Sequence, residues 1–188
     1  MAKQVWDPCC ILSPLPAVLV TVRDKKGNDN VLTIGWTGIV CSNPAQVYIS
    51  VRPERYSHDF LLENGEYVIN LTTKALAKAT DYCGVKSGRD EDKFASMKLH
   101  KEKASKVSPV LIAESPVNIE CKVTKVLELG SHDMFLADVV AVDVDEKLID
   151  KNGRLDLGKA DLLSYAHGTY YTLGDFVGTF GYTVKKCK

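Results

Sequence analysis

The sequence predicts a mainly β protein: a small antiparallel barrel with two or three helices at its periphery. Two observations support this. Short β-branched runs recur along the chain, and helix signals interrupt them only at irregular intervals. A regular alternation of strands and helices would instead indicate a doubly wound parallel sheet. The chain has 188 residues and no internal repeat, linker or low-complexity segment, so residues 1–188 are predicted to form a single domain.

Four strands are predicted in the first part of the chain because β-branched runs alternate there with clusters of turn residues. The turn DKKGNDN follows the first run, and Asn43-Pro44 precedes the third. The second run, VLTIGWTGIV, is interpreted as one continuous strand although it contains two glycines. The predicted strands are Ala17–Arg23, Val31–Val40, Gln46–Val51 and Glu66–Leu71.

Capping residues predict three short helices. Ser57 is the expected N-cap of a helix, HDFLLEN, that ends at Gly65. Thr73 is expected to cap a second helix, KALAKATDYC, that ends at Gly84. Asp90–Met97 is expected to form the third.

Two long strands are predicted in the second half of the chain. Val117–Leu129 is apolar at most odd positions and polar at most even positions, which predicts one solvated face in an antiparallel sheet. Met134–Val144 is apolar at both parities and is expected to be covered on both sides. Lys101–Ser108 is predicted to be a loop, and Tyr165–Tyr182 a mixture of strand and loop.

The balance of charge argues against nucleic acid and membranes as partners. The chain has 24 basic and 24 acidic side chains, so no basic face for nucleic acid or anionic lipid is expected. No apolar run reaches the roughly 18 residues that a transmembrane helix needs. The N-terminus, MAKQVWDPCC, lacks the features of a signal peptide. The sequence therefore predicts a cytoplasmic protein.

The cysteines and histidines show no metal-binding spacing. Without C-x-x-C or H-E-x-x-H, they predict reduced thiols and no metal site. Cys41 and Cys83 are interpreted as small buried side chains, with redox chemistry as the alternative. The adjacent pair Cys9-Cys10 also suggests redox chemistry, but a mobile N-terminus is the simpler interpretation. The cysteines are Cys9, Cys10, Cys41, Cys83, Cys121 and Cys187.

A cationic corner is expected where the third strand ends, in YISVRPERYSHDF. Arg52 and Arg55 offer planar donors suited to phosphate oxygens, and Ser50 and Ser57 add hydroxyls. A helix that begins at Ser57 would direct its free backbone N–H groups to the same place. The alternative is a polar strand end followed by a capped surface helix.

The segment TIGWTG suggests close approach of a flat ligand. Thr33 and Thr37 have the same parity, and Gly35 between them leaves a flat gap on their face. A planar ring would fit there. The alternative is a bulged barrel strand with Trp36 in the core.

Four motifs in a fixed order resemble the flavin reductase-like family of FMN-binding split barrels. They are SPLPAVLVTV, TIGWTGIVCSNPAQVYISVRPERYSHD, GEYVINL and DYCGVKSGRDEDKF. The similarity extends from about Ser13 to Asp145, with a weaker similarity in the tyrosine-rich tail, and flavoredoxin-type proteins are the most similar group. The resemblance implies an antiparallel split β-barrel of Greek-key type, bound FMN and a homodimer.

The resemblance also implies roles for individual residues. Those expected to hold the FMN phosphate are Arg52, Arg55, Tyr56 and Ser57. Those expected at the isoalloxazine ring are Thr33, Trp36, Thr37 and Gly38, with Ser50 and Val51 between ring and phosphate. Further cofactor contacts are expected from Asn70, Lys93 and Phe94.

The function implied is that of an oxidoreductase whose FMN accepts electrons and passes them on. The donor would be NAD(P)H or a protein, and the alternative is a non-enzymatic FMN carrier that exchanges electrons only with proteins. No G-x-G-x-x-G follows a strand, so a nicotinamide would have to stack directly over the flavin.

Two histidines are candidates for positions near the cofactor. His132 is the candidate catalytic residue, as a proton donor or hydrogen-bond partner, with a solvated turn residue as the alternative. One hypothesis is that His167 closes over the flavin with Tyr170 and Tyr171, but packing in the core or at a dimer interface is the favoured interpretation of these tyrosines.

Overall fold

The structure, a computed structural model, describes residues 1–184. Its first elements are β1 (Leu15–Pro16), β2 (Val18–Arg23), β3 (Asp29–Ile34), β4 (Thr37–Ser42), β5 (Ala45–Val51), α1 (Tyr56–Asn64) and β6 (Glu66–Leu71). They are followed by α2 (Ala77–Val85), α3 (Lys93–Met97), β7 (Lys101–Glu102), β8 (Leu111–Ile112), β9 (Val117–Glu128), β10 (Asp133–Val144), β11 (Leu163–Ala166) and β12 (Thr169–Thr172). Single 3₁₀ turns lie at Lys74–Leu76, Glu146–Leu148, Leu157–Lys159 and Tyr182–Val184.

Seven strands form one antiparallel sheet in the order β3-β2-β6-β9-β10-β5-β4. Two small sheets, β1-β11-β12 and β7-β8, complete the strand content. The prediction of a mainly β, antiparallel fold with three peripheral helices is confirmed. No helix within residues 1–184 has the length and apolar character needed to cross a membrane.

Strand β2 is buried on both faces, which explains its continuous apolar sequence. Val18, Val20 and Val22 pack into the main core with residues of β5, β6 and β10. Leu19 points the other way, into a second core formed with α2 and α3. Because successive side chains of a strand alternate between faces, β2 is the layer that the two cores share.

The predicted strand Val31–Val40 is not continuous. The chain bends at Gly35-Trp36, so that β3 pairs with β2 and β4 pairs with β5. These two strands are the opposite edges of the seven-stranded sheet. The bend therefore carries the chain from one edge directly to the other and closes the sheet into a barrel. The bend at Gly35-Trp36 is called the seam below.

The seam also separates two threonines that were expected to share a face. The Thr33 hydroxyl donates to the carbonyl of Thr80 in α2, whereas the Thr37 hydroxyl donates to the carbonyl of Tyr48 in β5. The prediction that Thr33 and Thr37 lie on one face is wrong, because the two residues belong to different strands.

Two predicted helix boundaries are corrected by backbone geometry. Arg55, not Ser57, is the N-cap of α1, and it caps without a side-chain hydrogen bond. Ser57 lies inside the first turn, where its hydroxyl accepts from the side-chain amide of Asn30. Helix α2 includes Gly84 and ends at Val85. The end of α1 at Gly65 is confirmed by its left-handed backbone, with φ of 66°.

The N-terminal ends of the next two helices also lie later than expected. Thr73 precedes a 3₁₀ turn rather than α2 itself. Helix α3 begins at Lys93, where the Asp92 carboxylate accepts from the first free backbone N–H groups.

The two long strands have the predicted extents within one residue, but their burial differs from the prediction. On β9 the polar Glu120 is fully buried, because the segment 105–107 covers it and donates three backbone N–H bonds to its carboxylate. On β10 only Phe135 and Ala137 are fully buried. The prediction that this strand is covered on both sides is therefore wrong, and Val142 is exposed.

Candidate functional site

A cavity of about 380 Å³ opens at the seam and is called the seam cavity. Its walls come from the end of β3, the end of β5, the second half of α2, the turn before β10 and the β11-β12 hairpin. Its lining includes Gly35, Trp36, Ser50, Asp81, His132 and Tyr170.

The floor of the seam cavity is flat. No atom of residues 1–184 lies within 4 Å of the position that a Cβ on Gly35 would occupy, apart from the neighbouring residues in the chain. Trp36 beside it is 40% exposed, and its ring lies 4.2 Å from the ring of His132 at 35°. Trp36 therefore forms a wall of the cavity, and the alternative that it belongs to the core is wrong.

Two close contacts fix this floor in place. The backbone N–H of Ser50 donates to the carbonyl of Trp36 over 2.9 Å and so ties β5 to the seam. On the other side, a Cβ on Gly84 would lie 3.3 Å from Cβ of Thr33. The glycine lets α2 approach β3 closely, which brings Asp81 to the cavity.

A second cavity of about 460 Å³ adjoins the first and is called the cationic pocket. Arg52 and Arg55 line both cavities, so together these form one cleft with a flat end and a cationic end. Lys86, Arg89 and Lys93 add three more positive charges, whereas Glu54 is the one acidic residue of its lining. Such a pocket favours an anion.

Lys93 is 3% exposed, yet it forms no ion pair within residues 1–184. Its ammonium group donates to the carbonyls of Cys83 and Lys86 over 3.4 and 3.2 Å. Burial lowers the pKa of Lys93. A buried ammonium without a counter-ion is costly, so an anion in the pocket would stabilise it.

The other cations are oriented by the backbone around them. Arg55 donates to the carbonyl of Gly84, and Arg89 donates to the carbonyl of Glu54. The Arg89 guanidinium also lies 5.3 Å from the ring centroid of Tyr56. These bonds leave further N–H groups of both guanidinium groups free to bind an anion.

Gly88 is required where the segment after α2 crosses the pocket. A Cβ at this position would lie 2.3 Å from Oδ1 of Asn30 and 2.8 Å from Cδ1 of Tyr56. The start of α1 lies in the same wall, since Tyr56 and Ser57 both line the pocket. Free N–H groups and the positive end of the helix dipole add to its preference for anions.

His132 lies in the seam cavity beside Trp36. Burial lowers the pKa of its imidazole, and the nearby charge of Arg52 lowers it further. The ring is therefore neutral at pH 7 and acts as a hydrogen-bond partner rather than a positive charge. Its turn is anchored by the next residue, because Oδ2 of Asp133 lies 2.7 Å from Nε2 of the buried His58.

The structure brings most of the predicted cofactor residues to this cleft. The seam cavity is lined by Thr33, Trp36, Ser50, Val51, Arg52, Arg55 and His132. The cationic pocket is lined by Arg52, Arg55, Tyr56, Ser57 and Lys93.

Four predicted residues do not line either cavity. Thr37 is buried against β5, and Gly38 faces the ring of Tyr48 on the same pair of strands. Asn70 is fully buried, where its amide donates to the carbonyl of Leu19 and accepts from the backbone of Ile112. Phe94 belongs to the core beneath α2 and α3. In the structure these four residues pack against neighbouring strands or belong to the core, whereas their positions in the motifs had predicted contacts with the cofactor.

Several lining residues were missed by sequence reasoning. Lys86, Ser87 and Arg89 lie in the motif DYCGVKSGRDEDKF, where two cations flank Ser87-Gly88. That spacing is a usable signal for an anion site. Asp81 carried no signal, because only the packing of α2 places it beside Tyr170, whose pKa is raised by burial and by this carboxylate.

The remaining aromatic candidates divide between the cavity and the surface. Tyr170 lines the seam cavity, and its ring lies 5.4 Å from that of Tyr165. Tyr171 is exposed, and His167 borders a different cavity, formed with the N-terminal segment. His167 has a positive φ of 46°, which is uncommon for a residue with a side chain.

The cysteines differ in access. Burial raises the pKa of Cys83 to about 11 and that of Cys121 to about 12, so both remain protonated. Cys41 is partly exposed but lines neither cavity of the cleft, and Cys187 lies outside the described residues. Across residues 1–184 no group of three or more His, Cys, Asp or Glu side chains is placed to hold a metal ion.

A family model described as "Flavin reductase like domain" matches residues 12–174. The chain belongs to the flavin reductase-like family. It is 30% identical to the flavoredoxin of Desulfovibrio vulgaris (Miyazaki F), with a TM-score of 0.91 over 98% of this chain and 100% of that one. For the flavoredoxin of Methanosarcina acetivorans the identity is 28% and the TM-score 0.87, over 98% of each chain.

The comparisons confirm the predicted family and the split-barrel fold class. A Shewanella frigidimarina protein with a split barrel domain has a TM-score of 0.81 at 23% identity, over 90% of this chain and 86% of that one. An uncharacterised protein of Archaeoglobus fulgidus is 28% identical over 92% of this chain and 95% of its own length. Family membership and these neighbours support a flavin-related oxidoreductase function.

Proposed function

We propose that the protein is an FMN-dependent oxidoreductase that accepts electrons on bound FMN and passes them to an acceptor. The observation that carries this proposal is the shape and charge of the cleft. Its flat floor at Gly35-Trp36 joins a pocket with five cationic side chains through the shared residues Arg52 and Arg55. FMN has the matching form, with a planar ring at one end and a phosphate at the other.

The residues present fit this cofactor. Lys93 gives the clearest indication of this fit. Its buried ammonium group has no carboxylate partner within residues 1–184, and a phosphate would provide the counter-ion. Arg52, Arg55 and Arg89 would hold the phosphate oxygens, and Ser57 would add a hydroxyl. When bound, the flavin supplies the electron chemistry, and the protein supplies position, electrostatics and access.

The seam residues would orient the ring and a second reactant. Trp36 would pack at the ring, and neutral His132 would offer a hydrogen bond without adding positive charge. Tyr170 and Asp81 line the same cavity, where they would contact a substrate placed over the ring. A nicotinamide donor would enter through this opening, since the sequence contains no dinucleotide-binding motif.

An anaerobic titration tests the proposal. The purified protein is loaded with FMN, and NADH or NADPH is added while the visible absorbance of the flavin is followed. Bleaching by one nicotinamide is the expected result. Bleaching by dithionite alone would instead identify a carrier fed by another protein, and failure to bind FMN would overturn the proposal.

We also propose that the protein is a homodimer of the cytoplasm. Ile39 on the edge strand β4 is 83% exposed, and Val142 on β10 is exposed as well. The C-terminal segment adds Phe176, Val177 and Phe180, all strongly exposed. A second copy of the chain would cover this apolar surface.

A further inference from the structure

The N-terminal segment lies against the mouth of the seam cavity and brings two thiols to it. A separate cavity of about 320 Å³, called the thiol cavity, is lined by Cys9 and Cys10 together with Trp36 and Ser50. Trp36 and Ser50 also line the seam cavity. Two side chains therefore form the common wall between the thiols and the proposed position of the flavin.

The same two cysteines also lie close to the turn of the β11-β12 hairpin. They line a further cavity of about 530 Å³ together with His167. Gly168, the next residue, lines the seam cavity. Strand β1 anchors the segment, because Leu15 pairs with Tyr165 of β11. The adjacent thiols thus share a wall with the seam cavity, and they also neighbour His167, which precedes a lining residue of that cavity.

The thiol pair is accessible and chemically distinct from the other cysteines. Cys9 and Cys10 are free and exposed, whereas Cys83 and Cys121 are buried and protonated. A disulfide between adjacent residues closes a small strained ring, and strained disulfides are the readily reduced ones. A pair of this kind cycles between its two redox states more easily than it stabilises a fold.

We propose that Cys9 and Cys10 form a redox pair that passes electrons from the reduced flavin to small uncharged disulfides. This inference rests on the FMN site proposed above and names the acceptor of that site. The thiol cavity has no charged side chain in its lining, which consists of Cys9, Cys10, Ile11, Leu12, Leu15, Trp36, Tyr48 and Ser50. Its apolar walls fit an uncharged disulfide better than a charged one such as glutathione disulfide.

The reaction balances in two stages. One cysteine thiolate attacks a sulfur of the substrate disulfide, whose S–S bond breaks and releases one thiol. The second cysteine attacks the resulting mixed disulfide, releases the second thiol and forms the Cys9–Cys10 bond. That bond then accepts two electrons from the reduced flavin and two protons, so that both S–H groups form again and the flavin is left oxidised.

A first experiment tests the position of the thiols without any turnover. Flavin-free protein is alkylated with iodoacetamide in the presence and absence of FMN, and labelling is measured by peptide mass spectrometry. FMN is expected to slow the labelling of Cys9 and Cys10 and to leave that of Cys41 unchanged, since Cys41 lines neither cavity. Equal labelling of Cys9 and Cys10 with and without FMN would overturn the proposed position.

A second experiment tests the electron transfer. FMN-loaded protein is reduced with one equivalent of dithionite without oxygen and mixed with bis(2-hydroxyethyl) disulfide, and the return of flavin absorbance is followed. Cys9→Ser and Cys10→Ser are expected to slow this return by about tenfold or more, because the intramolecular resolving thiol is lost. Cys41→Ser is the matched control and is expected to behave as the wild type.

The outcomes separate the two proposals. Protein that binds no FMN contradicts the proposed function, and the thiol relay with it. Protein that binds FMN and is bleached by dithionite, but whose flavin is not reoxidised by the disulfide, contradicts the relay alone. Reoxidation at the wild-type rate in both serine variants also contradicts the relay.

Discussion

At the scale of single residues, the cationic pocket depends on a lysine that costs the empty protein stability. Lys93 is buried with backbone carbonyls as its only hydrogen-bond partners among residues 1–184. Phosphate would supply the missing negative charge. Lys93 therefore lowers the stability of the flavin-free protein but would strengthen the binding of phosphate.

Lys93→Met is expected to weaken FMN about tenfold or more while changing riboflavin affinity little, because a charged hydrogen bond to phosphate is worth about 1.5–3 kcal/mol. The apo variant should unfold at the same or higher urea concentration than the wild type, since an unpaired buried charge is gone. Fluorescence titration and urea denaturation measure the two effects. Lys103→Met, at an exposed loop position, is the control, and equal loss of both ligands would contradict a phosphate contact.

Gly88→Ala is expected to destabilise the protein by about 1–3 kcal/mol, because overpacking forces neighbours to move. The new methyl group would lie 2.3 Å from Oδ1 of Asn30, whose amide binds Ser57. FMN affinity should fall together with stability, as measured by thermal unfolding with and without FMN. Gly174→Ala, where nothing lies within 4 Å, should change neither property, and wild-type behaviour of the Gly88 variant would contradict the close packing.

At the scale of elements, the strand pair β9-β10 holds two carboxyl groups of opposite character. Glu120 accepts four hydrogen bonds from the segment 105–107, which hold its pKa below the usual range despite burial. Burial and the nearby Glu120 raise the pKa of Asp143. Within residues 1–184, Oδ2 of Asp143 is buried without a hydrogen-bond partner, and a hydrogen bond between the two carboxyl groups contributes to the raised pKa of Asp143. The Glu120 carboxylate is therefore well satisfied by hydrogen bonds, whereas Oδ2 of the Asp143 carboxyl group is not.

Asp143→Asn is expected to stabilise the protein at pH 7 by about 1 kcal/mol, because a carboxyl group that ionises beside Glu120 is replaced by a neutral amide. Since the pKa of Asp143 is higher in the folded state than in the unfolded state, the wild type loses stability as pH rises through that range. The advantage of the variant should therefore shrink as pH falls toward about 4, the ordinary Asp pKa.

Urea denaturation across this pH range measures the effect, and Asp175→Asn at an exposed position is the control. A gain that does not depend on pH would show that ionisation of Asp143 is not its cause.

At the scale of the whole molecule, exposed apolar side chains lie on the edge strand β4 and in the C-terminal segment. Edge strands with exposed apolar side chains invite pairing with other chains. Ile39 lies on such an edge, since β4 is the last strand of the sheet. The proposed second copy of the chain would cover this edge.

Ile39→Glu is expected to weaken the proposed dimer by more than about tenfold, because the introduced carboxylate would be desolvated in the interface. Size-exclusion chromatography with light scattering over a range of concentrations measures the shift to monomer. Leu62→Glu, at an exposed position of α1, should leave the mass unchanged. A wild-type protein that is monomeric at every concentration would contradict the dimer.

The sequence by itself determined five of the main strands, to within one residue at each end, and the cationic end of the cleft; these strands are β2, β5, β6, β9 and β10. These features follow from local rules. Alternation places strands, as in β9, and a run such as RPERYS concentrates donors wherever it folds. The family motifs then added the expectation of a split barrel and a flavin.

Only the tertiary structure decided which residues meet. Asn70 and Phe94 belong to family motifs, yet they are fully occupied by hydrogen bonds and core packing. Asp81 lines the seam cavity because α2 packs on β3, and Cys9 and Cys10 lie in the neighbouring thiol cavity, in a segment that β1 anchors to β11. The seam at Gly35-Trp36 was hidden as well, because a break in a strand depends on pairing with two distant partners, which no local pattern records.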